Sequence, residues 1–108
     1  MTHQNIENEQ YIIINFYSTL NVGRSAIEDE LEDVLEDKGE VTGGGSGVSG
    51  SNIDIEIYEG TAYDFLNSIR EVLKEFSVPT DTVIIMNGNE RFSVYEESTG
   101  STVSRNQT

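Results

Sequence analysis

The sequence predicts an α+β protein in which two amphipathic helices cover one face of a single antiparallel sheet. Residues 53–59 alternate between apolar and polar side chains, the pattern of a strand with one buried face. Apolar residues near 26–38 and near 62–76 recur at helical spacing, so each segment forms a helix with one apolar face. Because each helix must bury that face against the sheet, we expect both helices on the same side.

The first predicted strand covers 11–17 (YIIINFY) and follows a polar lead-in at 1–10. Its apolar and aromatic residues are consecutive, which is typical of a strand buried on both faces or nearly so. The longest apolar run, around Ile12–Ile14, is far shorter than the ~20 residues of a membrane-spanning helix. The first residues also lack the basic and apolar regions of a signal peptide, so we expect a cytoplasmic protein with no membrane partner.

The first predicted helix covers about 26–38. Ser25 and Glu28 have the spacing of a capping box, in which each side chain accepts a hydrogen bond from a backbone N–H of the first turn. Gly39, directly after Lys38, is the residue type that commonly ends a helix. The apolar face of this helix consists of Ile27, Leu31, Val34 and Leu35.

A glycine-rich segment separates the next two predicted strands. A short strand begins at 40–42, and residues 43–51 (GGGSGVSGS) predict a mobile hairpin loop. This loop contains no Lys or Arg and leads into a strand, so it does not indicate a phosphate-binding site. The strand at 53–59 then directs one set of side chains toward the helices, namely Ile53, Ile55 and Ile57.

A second helix and a tight hairpin complete the predicted domain. Thr61 followed by Asp64 is an N-cap signature ahead of the helix at 62–76. Strands at 83–86 and 91–95 then flank the dipeptide Asn87-Gly88, which favours the positive φ angles of a hairpin turn. We expect one α+β domain at 11–95, followed at 96–108 by a disordered tail rich in Ser and Thr.

The order strand, helix, strand, strand, helix, strand resembles the ferredoxin-like β-α-β-β-α-β superfold over about 11–95, with an extra C-terminal hairpin strand. The resemblance implies two helices on one face of an antiparallel sheet. It implies no particular activity, because this superfold supports many unrelated functions.

Charge and composition exclude several classes of function. The chain of 108 residues has 20 acidic and 6 basic side chains and a net charge of −14. This charge repels nucleic acid and anionic lipid, so we expect no nucleic-acid partner and expect any charged partner to be basic. Without Cys there is no disulfide or thiolate chemistry, and the single His, His3, lies in the lead-in. No cofactor is expected.

The first predicted helix is strongly acidic, and its carboxylates are the candidate partner-binding residues. Like charges four residues apart each cost roughly 0.2–0.5 kcal/mol in an isolated helix, so a helix selected only for stability would include more Lys. Solubility is the alternative explanation of the same pattern. The candidates are Glu28, Asp29, Glu32, Asp33, Glu36 and Asp37.

The strand at 53–59 contributes a second candidate set, Asp54, Glu56 and Tyr58, on the sheet face away from the helices. Two carboxylates at this spacing either occupy the wet face of the sheet or bind a divalent cation. No His, Cys or calcium-binding loop completes a ligand set, so we expect no metal. The same open face is also a candidate interface for a homodimer.

Small size, lack of Cys, strong acidity and the segment Gly39–Gly47 (GEVTGGGSG) together resemble small bacterial immunity proteins. The resemblance implies an acidic protein that blocks a basic nuclease toxin. We therefore expect a non-enzymatic module that binds a basic protein. The alternatives are a structural or regulatory homo-oligomer that uses the open sheet face, with or without a small ligand, and an enzyme that uses Asp54, Glu56 or Tyr58.

Overall fold

A computed structural model describes residues 10–20, 22–47 and 50–95. Residues 1–9 of the predicted lead-in and the predicted tail at 96–108 lie outside the described residues. The elements follow one another as β1 (Gln10–Phe16), α1 (Arg24–Leu35), β2 (Gly39–Gly47), β3 (Gly50–Ile57), a short 3₁₀ helix (Ala62–Phe65), α2 (Leu66–Glu75), β4 (Val83–Met86) and β5 (Glu90–Ser93).

The strands form one sheet in the order β2-β3-β1-β4-β5, and all neighbouring strands are antiparallel. Since β1 and β2 are both antiparallel to β3, they run parallel to each other on its two sides. In the same way, β3 and β4 run parallel on the two sides of β1. Each helix therefore joins two parallel strands that flank a third strand. The predicted α+β class, with two helices and an antiparallel sheet, is confirmed.

Both helices pack on one face of this sheet. Along β1, buried residues alternate with half-buried or exposed ones, and the buried set is Ile12, Ile14 and Phe16. These side chains form a single core with Leu31 of α1 and Leu73 of α2. The opposite face, which we call the open face, carries the other residues of each strand. The prediction that β1 is buried on both faces or nearly so is therefore wrong, because Ile13 on the open face is only half-buried.

Helix α1 begins and ends earlier than its apolar pattern predicted. Its N-cap is Gly23, and Ser25 makes no capping hydrogen bond. The Glu28 carboxylate instead forms an ion pair with the guanidinium of Arg24, with 3.0 Å between Nε and Oε2. The helix ends where Glu36 adopts a φ of 56°. Gly39 is therefore not its terminator and is the first residue of β2.

The glycine-rich segment is mostly strand, so the prediction of a mobile loop over 43–51 is wrong for 43–47 and 50–51. These residues extend β2 and β3 in register, after a bulge between Val41 and Gly43. A Cβ on Gly44 would lie 2.5 Å from the carbonyl oxygen of Asn52, and one on Gly39 would lie 2.7 Å from that of Glu56. Glycine thus lets β2 approach β3 closely. Residues 48 and 49 lie outside the described residues.

The predicted signals of the second half are confirmed. Thr61 and Asp64 form the capping box, although the first turn behind it is 3₁₀ and α2 proper starts at Leu66. Asn87 and Gly88 have φ angles of 54° and 82°, as the hairpin turn between β4 and β5 requires. Neither described helix is long and apolar enough to cross a membrane.

Candidate functional site

Helix α1 presents a row of carboxylates to solvent because its large apolar residues are on the opposite side of the helix and pack against the core. Ile27, Leu31 and Leu35 are fully buried. On the other side of the helix and its C-terminal turn, five of the six predicted partner-binding residues are exposed and Glu28 is half-buried. The exposed residues are Asp29, Glu32, Asp33, Glu36 and Asp37. We call this set, together with Glu28, the acidic helix face.

Two members of the acidic helix face also tie α1 to the edge of the sheet. The Glu32 carboxylate accepts a hydrogen bond from the backbone N–H of Val41 at 2.8 Å. Arg24, paired with Glu28, donates from Nη1 to the carbonyl oxygen of Gly45 at 2.7 Å. Since β2 is an edge strand, these contacts satisfy backbone groups that no neighbouring strand can reach. Glu28 and Glu32 therefore have structural roles that sequence reasoning did not identify.

The remaining carboxylates of the acidic helix face have no compensating contact. Within the described part of the chain, the side chains of Asp29, Asp33, Glu36 and Asp37 form no ion pair and no hydrogen bond. Asp29 and Asp33 lie one helical turn apart, where like charges repel. Among the described residues, this part of the surface is therefore exposed and strongly negative.

Tyr58 connects the acidic helix face to the open face. Its phenol donates a hydrogen bond to the Glu40 carboxylate, and the negative charges of Glu40, Glu56 and Glu32 also surround it. That hydrogen bond is the main reason why the pKa of Tyr58 rises to about 12, with desolvation and the three charges adding to the shift. Negative charge thus continues from α1 around the β2 edge. We call Glu32, Glu40, Glu56 and Tyr58 the acidic edge.

Glu40 is a member of this cluster that sequence reasoning missed. It lies directly opposite Glu56 on the neighbouring strand, and like charges in that position destabilise a sheet. The pairing depends on the β2–β3 register, which the bulge at Thr42 sets. The only signal in the sequence was that Glu40 falls just before the glycine-rich segment.

Asp54 and Glu56 lie on the open face, as predicted, and Tyr58 follows directly after the end of β3. Asp54 and Glu56 line a groove of about 270 Å³ that lies between β1 and β3. Its lining residues are Gln10, Tyr11, Ile12, Ile13, Thr42, Asp54, Ile55 and Glu56.

The polar groups of the groove are not arranged as a metal site. Asp54 Oδ1 accepts a hydrogen bond from Asn52 Nδ2 at 2.8 Å. Among the described residues, no group of three or more His, Cys, Asp or Glu side chains is placed to hold a metal ion. The raised pKa of Tyr58 keeps its phenol protonated into the alkaline range, where an ordinary tyrosine loses its proton.

A second tyrosine–carboxylate contact lies on the helix side of the sheet, far from the open face. The Tyr63 phenol donates to the Glu90 carboxylate, which raises the pKa of Tyr63. Arg70 lies over the ring of Phe92 and donates to the Ser93 carbonyl oxygen at 2.9 Å. These contacts hold β5 against α2 and the 3₁₀ helix, so we assign them a structural role.

No protein-family model, no curated protein and no solved structure matches this chain. The surfaces that can serve a function are the acidic helix face, the acidic edge and the open face.

Proposed function

We propose that this protein is a non-enzymatic binding module whose acidic helix face binds a basic protein. In its most concrete form it is an immunity or inhibitor protein that blocks a basic toxin or nuclease. The single observation that carries the proposal is the row of exposed, uncompensated carboxylates along α1, represented by Asp29, Asp33 and Glu36.

The energetics of the fold support this proposal. Repulsion between Asp29 and Asp33 costs roughly 0.2–0.5 kcal/mol, and Glu40 opposite Glu56 adds a similar unfavourable contact. Helix α2 instead interleaves its acidic residues with Arg70 and Lys74. A chain selected only for stability would do the same on α1. The uncompensated repulsion between carboxylates on α1 favours a surface that was selected for a cationic partner.

The mechanism begins with long-range attraction. A surface of one sign raises the association rate of an oppositely charged protein by about 10–10³-fold, and salt weakens this effect. On contact, the carboxylates of α1 pair with Lys and Arg side chains of the partner. If those cations form the substrate site of a nuclease, the bound module occludes that site and needs no chemistry of its own.

For the fold, we propose the ferredoxin-like arrangement with β5 added beside β4. Two interleaved units, β1-α1-β2 around β3 and β3-α2-β4 around β1, support this proposal. The arrangement leaves the acidic helix face and the open face on opposite sides of the sheet. The two surfaces can therefore be tested independently.

Affinity capture with matched variants tests the proposed function. The bait is the full chain, the Asp29→Lys/Asp33→Lys variant, or the Glu71→Lys/Glu75→Lys variant, which changes the net charge equally on the exposed face of α2. Glu32 is left intact because its carboxylate binds the Val41 backbone.

From a lysate of the source cells, we expect the wild type and the α2 variant to retain the same basic protein, and high salt to release it. The α1 variant should lose this protein. Equal retention by both variants, or equal loss, would contradict a docking site on α1.

A further inference from the structure

The open face carries one row of side chains in which a negative and a positive charge lie at equal distances from a central apolar pair. The strand registers align Gly43, Asp54, Ile13, Ile85 and Arg91 across β2, β3, β1, β4 and β5. The two central residues are half-buried isoleucines. An acidic residue lies one strand beyond Ile13, and a basic residue lies one strand beyond Ile85. The row is therefore complementary to a copy of itself rotated by half a turn.

We propose that the open face binds the open face of a second copy about a two-fold axis parallel to the strands, between β1 and β4. This axis places Ile13 of each copy against Ile85 of the other copy. It also places Asp54 opposite Arg91 of the second copy, so symmetry forms that ion pair twice. The two sheets lie face to face at about 10 Å, the usual distance between packed sheets.

The groove beside Asp54 provides the space that this pairing needs. The groove has a volume of about 270 Å³, and Asp54 and Glu56 are among its lining residues. The incoming guanidinium meets the Asp54 carboxylate there, with Glu56 as a second carboxylate and Tyr11 as an aromatic wall. Arg91 is exposed on the open face, where its Nη2 lies 3.3 Å from the hydroxyl of Tyr17.

The net charge does not prevent this association. The row on one side consists of Asn52, Asn15, Val83 and Ser93, and none of these side chains is charged. The row on the other side contains Glu40 and Glu56, and the two-fold axis places these carboxylates toward the β4–β5 turn of the second copy, away from its own Glu40 and Glu56. Both acidic helix faces lie on the outer sides of the paired sheets. Two sheets and their helices separate them by more than the Debye length of about 8 Å at physiological salt. The dimer therefore brings opposite charges together and keeps the α1 carboxylates apart.

The inference goes beyond the proposed function and is independent of it. A dimer formed through the open face exposes one acidic helix face on each side, so it can engage two basic partners. A monomer whose α1 face binds a basic protein would disprove only the dimer. A dimer that binds no basic protein would disprove only the proposed function.

Sedimentation equilibrium of the full chain tests the dimer. We expect the wild type to change from monomer to dimer across the micromolar range. Arg91→Glu and Asp54→Lys should each weaken dimerisation by about tenfold or more, because each change replaces both ion pairs with repulsive pairs. The double variant, Asp54→Lys with Arg91→Glu, should restore dimerisation.

Two further variants separate the effect of net charge from the effect of contacts on the open face. Lys38→Glu makes the same charge change as Arg91→Glu at an exposed position outside the open-face strands, and should leave dimerisation nearly unchanged. Ile85→Asn removes apolar contact without changing the charge, and should also weaken dimerisation. A wild type that stays monomeric to high micromolar concentration would overturn the proposal, as would a double variant no stronger than the singles. Circular dichroism confirms that each variant is folded.

Discussion

At the scale of single residues, Tyr58 shows that helix and sheet share one electrostatic surface. Its phenol donates a hydrogen bond to Glu40 of β2, and the negative charges of Glu56 on β3 and Glu32 on α1 raise its pKa further. The alternation of β3 predicted the open-face position of Glu56. It could not predict Glu40 as the neighbour, because a bulge between Val41 and Gly43 decides which β2 residue lies opposite Glu56.

The alkaline titration of Tyr58 tests the acidic edge. The folded-state pKa of about 12 lies above the ordinary value of 10.0, so the folded state holds this proton more tightly. The resulting stabilisation is complete below pH 10 and is lost as pH rises toward 12. Glu40→Gln should lower the pKa of Tyr58, because it removes both the charged acceptor and its Coulombic effect.

Tyrosinate absorbance against pH measures this, with Tyr58→Phe identifying the contribution of Tyr58. Asp33→Asn is the matched control, since it removes a carboxylate outside the acidic edge. An unchanged Tyr58 titration in Glu40→Gln would mean that the acidic edge is not assembled as described.

At the scale of elements, the helices were predicted better than their ends. Apolar spacing located α1 because burial of Ile27, Leu31 and Leu35 decides its existence. The boundaries moved because the Arg24–Glu28 pair lies in the first turn, where the predicted Ser25 cap is absent, and because Glu36 takes a positive φ. Neither the ion pair nor the positive φ produces a periodic pattern in the sequence, so hydrophobic spacing could not predict these ends.

Among the elements, the largest error was the prediction of a loop where the glycine-rich part of β2 lies. The physical reason for this error can be tested. Glycine disfavours isolated strands, so the sequence predicted a loop. In the structure, Gly44 has no room for a Cβ beside the Asn52 carbonyl, whereas the nearest atom to a Cβ on Gly43 is Asp54 Oδ2 at 3.9 Å. Tertiary pairing with β3 therefore outweighs the local propensity.

Gly44→Ala should lower the free energy of unfolding by about 1–3 kcal/mol, because the added methyl forces β2 away from β3. Gly43→Ala is the control and should be neutral or stabilising by up to about 1 kcal/mol, since it restricts the unfolded chain without a clash. Urea denaturation of both variants measures the difference. Equal stabilities would show that β2 does not approach β3 this closely.

At the scale of the whole molecule, the α+β class was predictable and the order of strands was not. Period-two and helical spacing report which face of each element is buried, and that suffices to place both helices on one side. Periodicity does not report which strands are neighbours, so the row from Asp54 to Arg91 is visible only in the structure. The acidic helix face was predictable because its residues are contiguous along α1.

The proposed function requires that a basic partner binds α1 because the carboxylates are concentrated there, and not because the whole protein is negatively charged. The most direct test is the association rate of an oligolysine peptide at several ionic strengths, measured with the wild type, Asp29→Lys/Asp33→Lys and Glu71→Lys/Glu75→Lys. We predict that the α1 variant associates about tenfold or more slowly, with a flatter salt dependence, while the α2 variant stays close to wild type. Equal slowing of the two variants would contradict the claim, because only net charge would then matter.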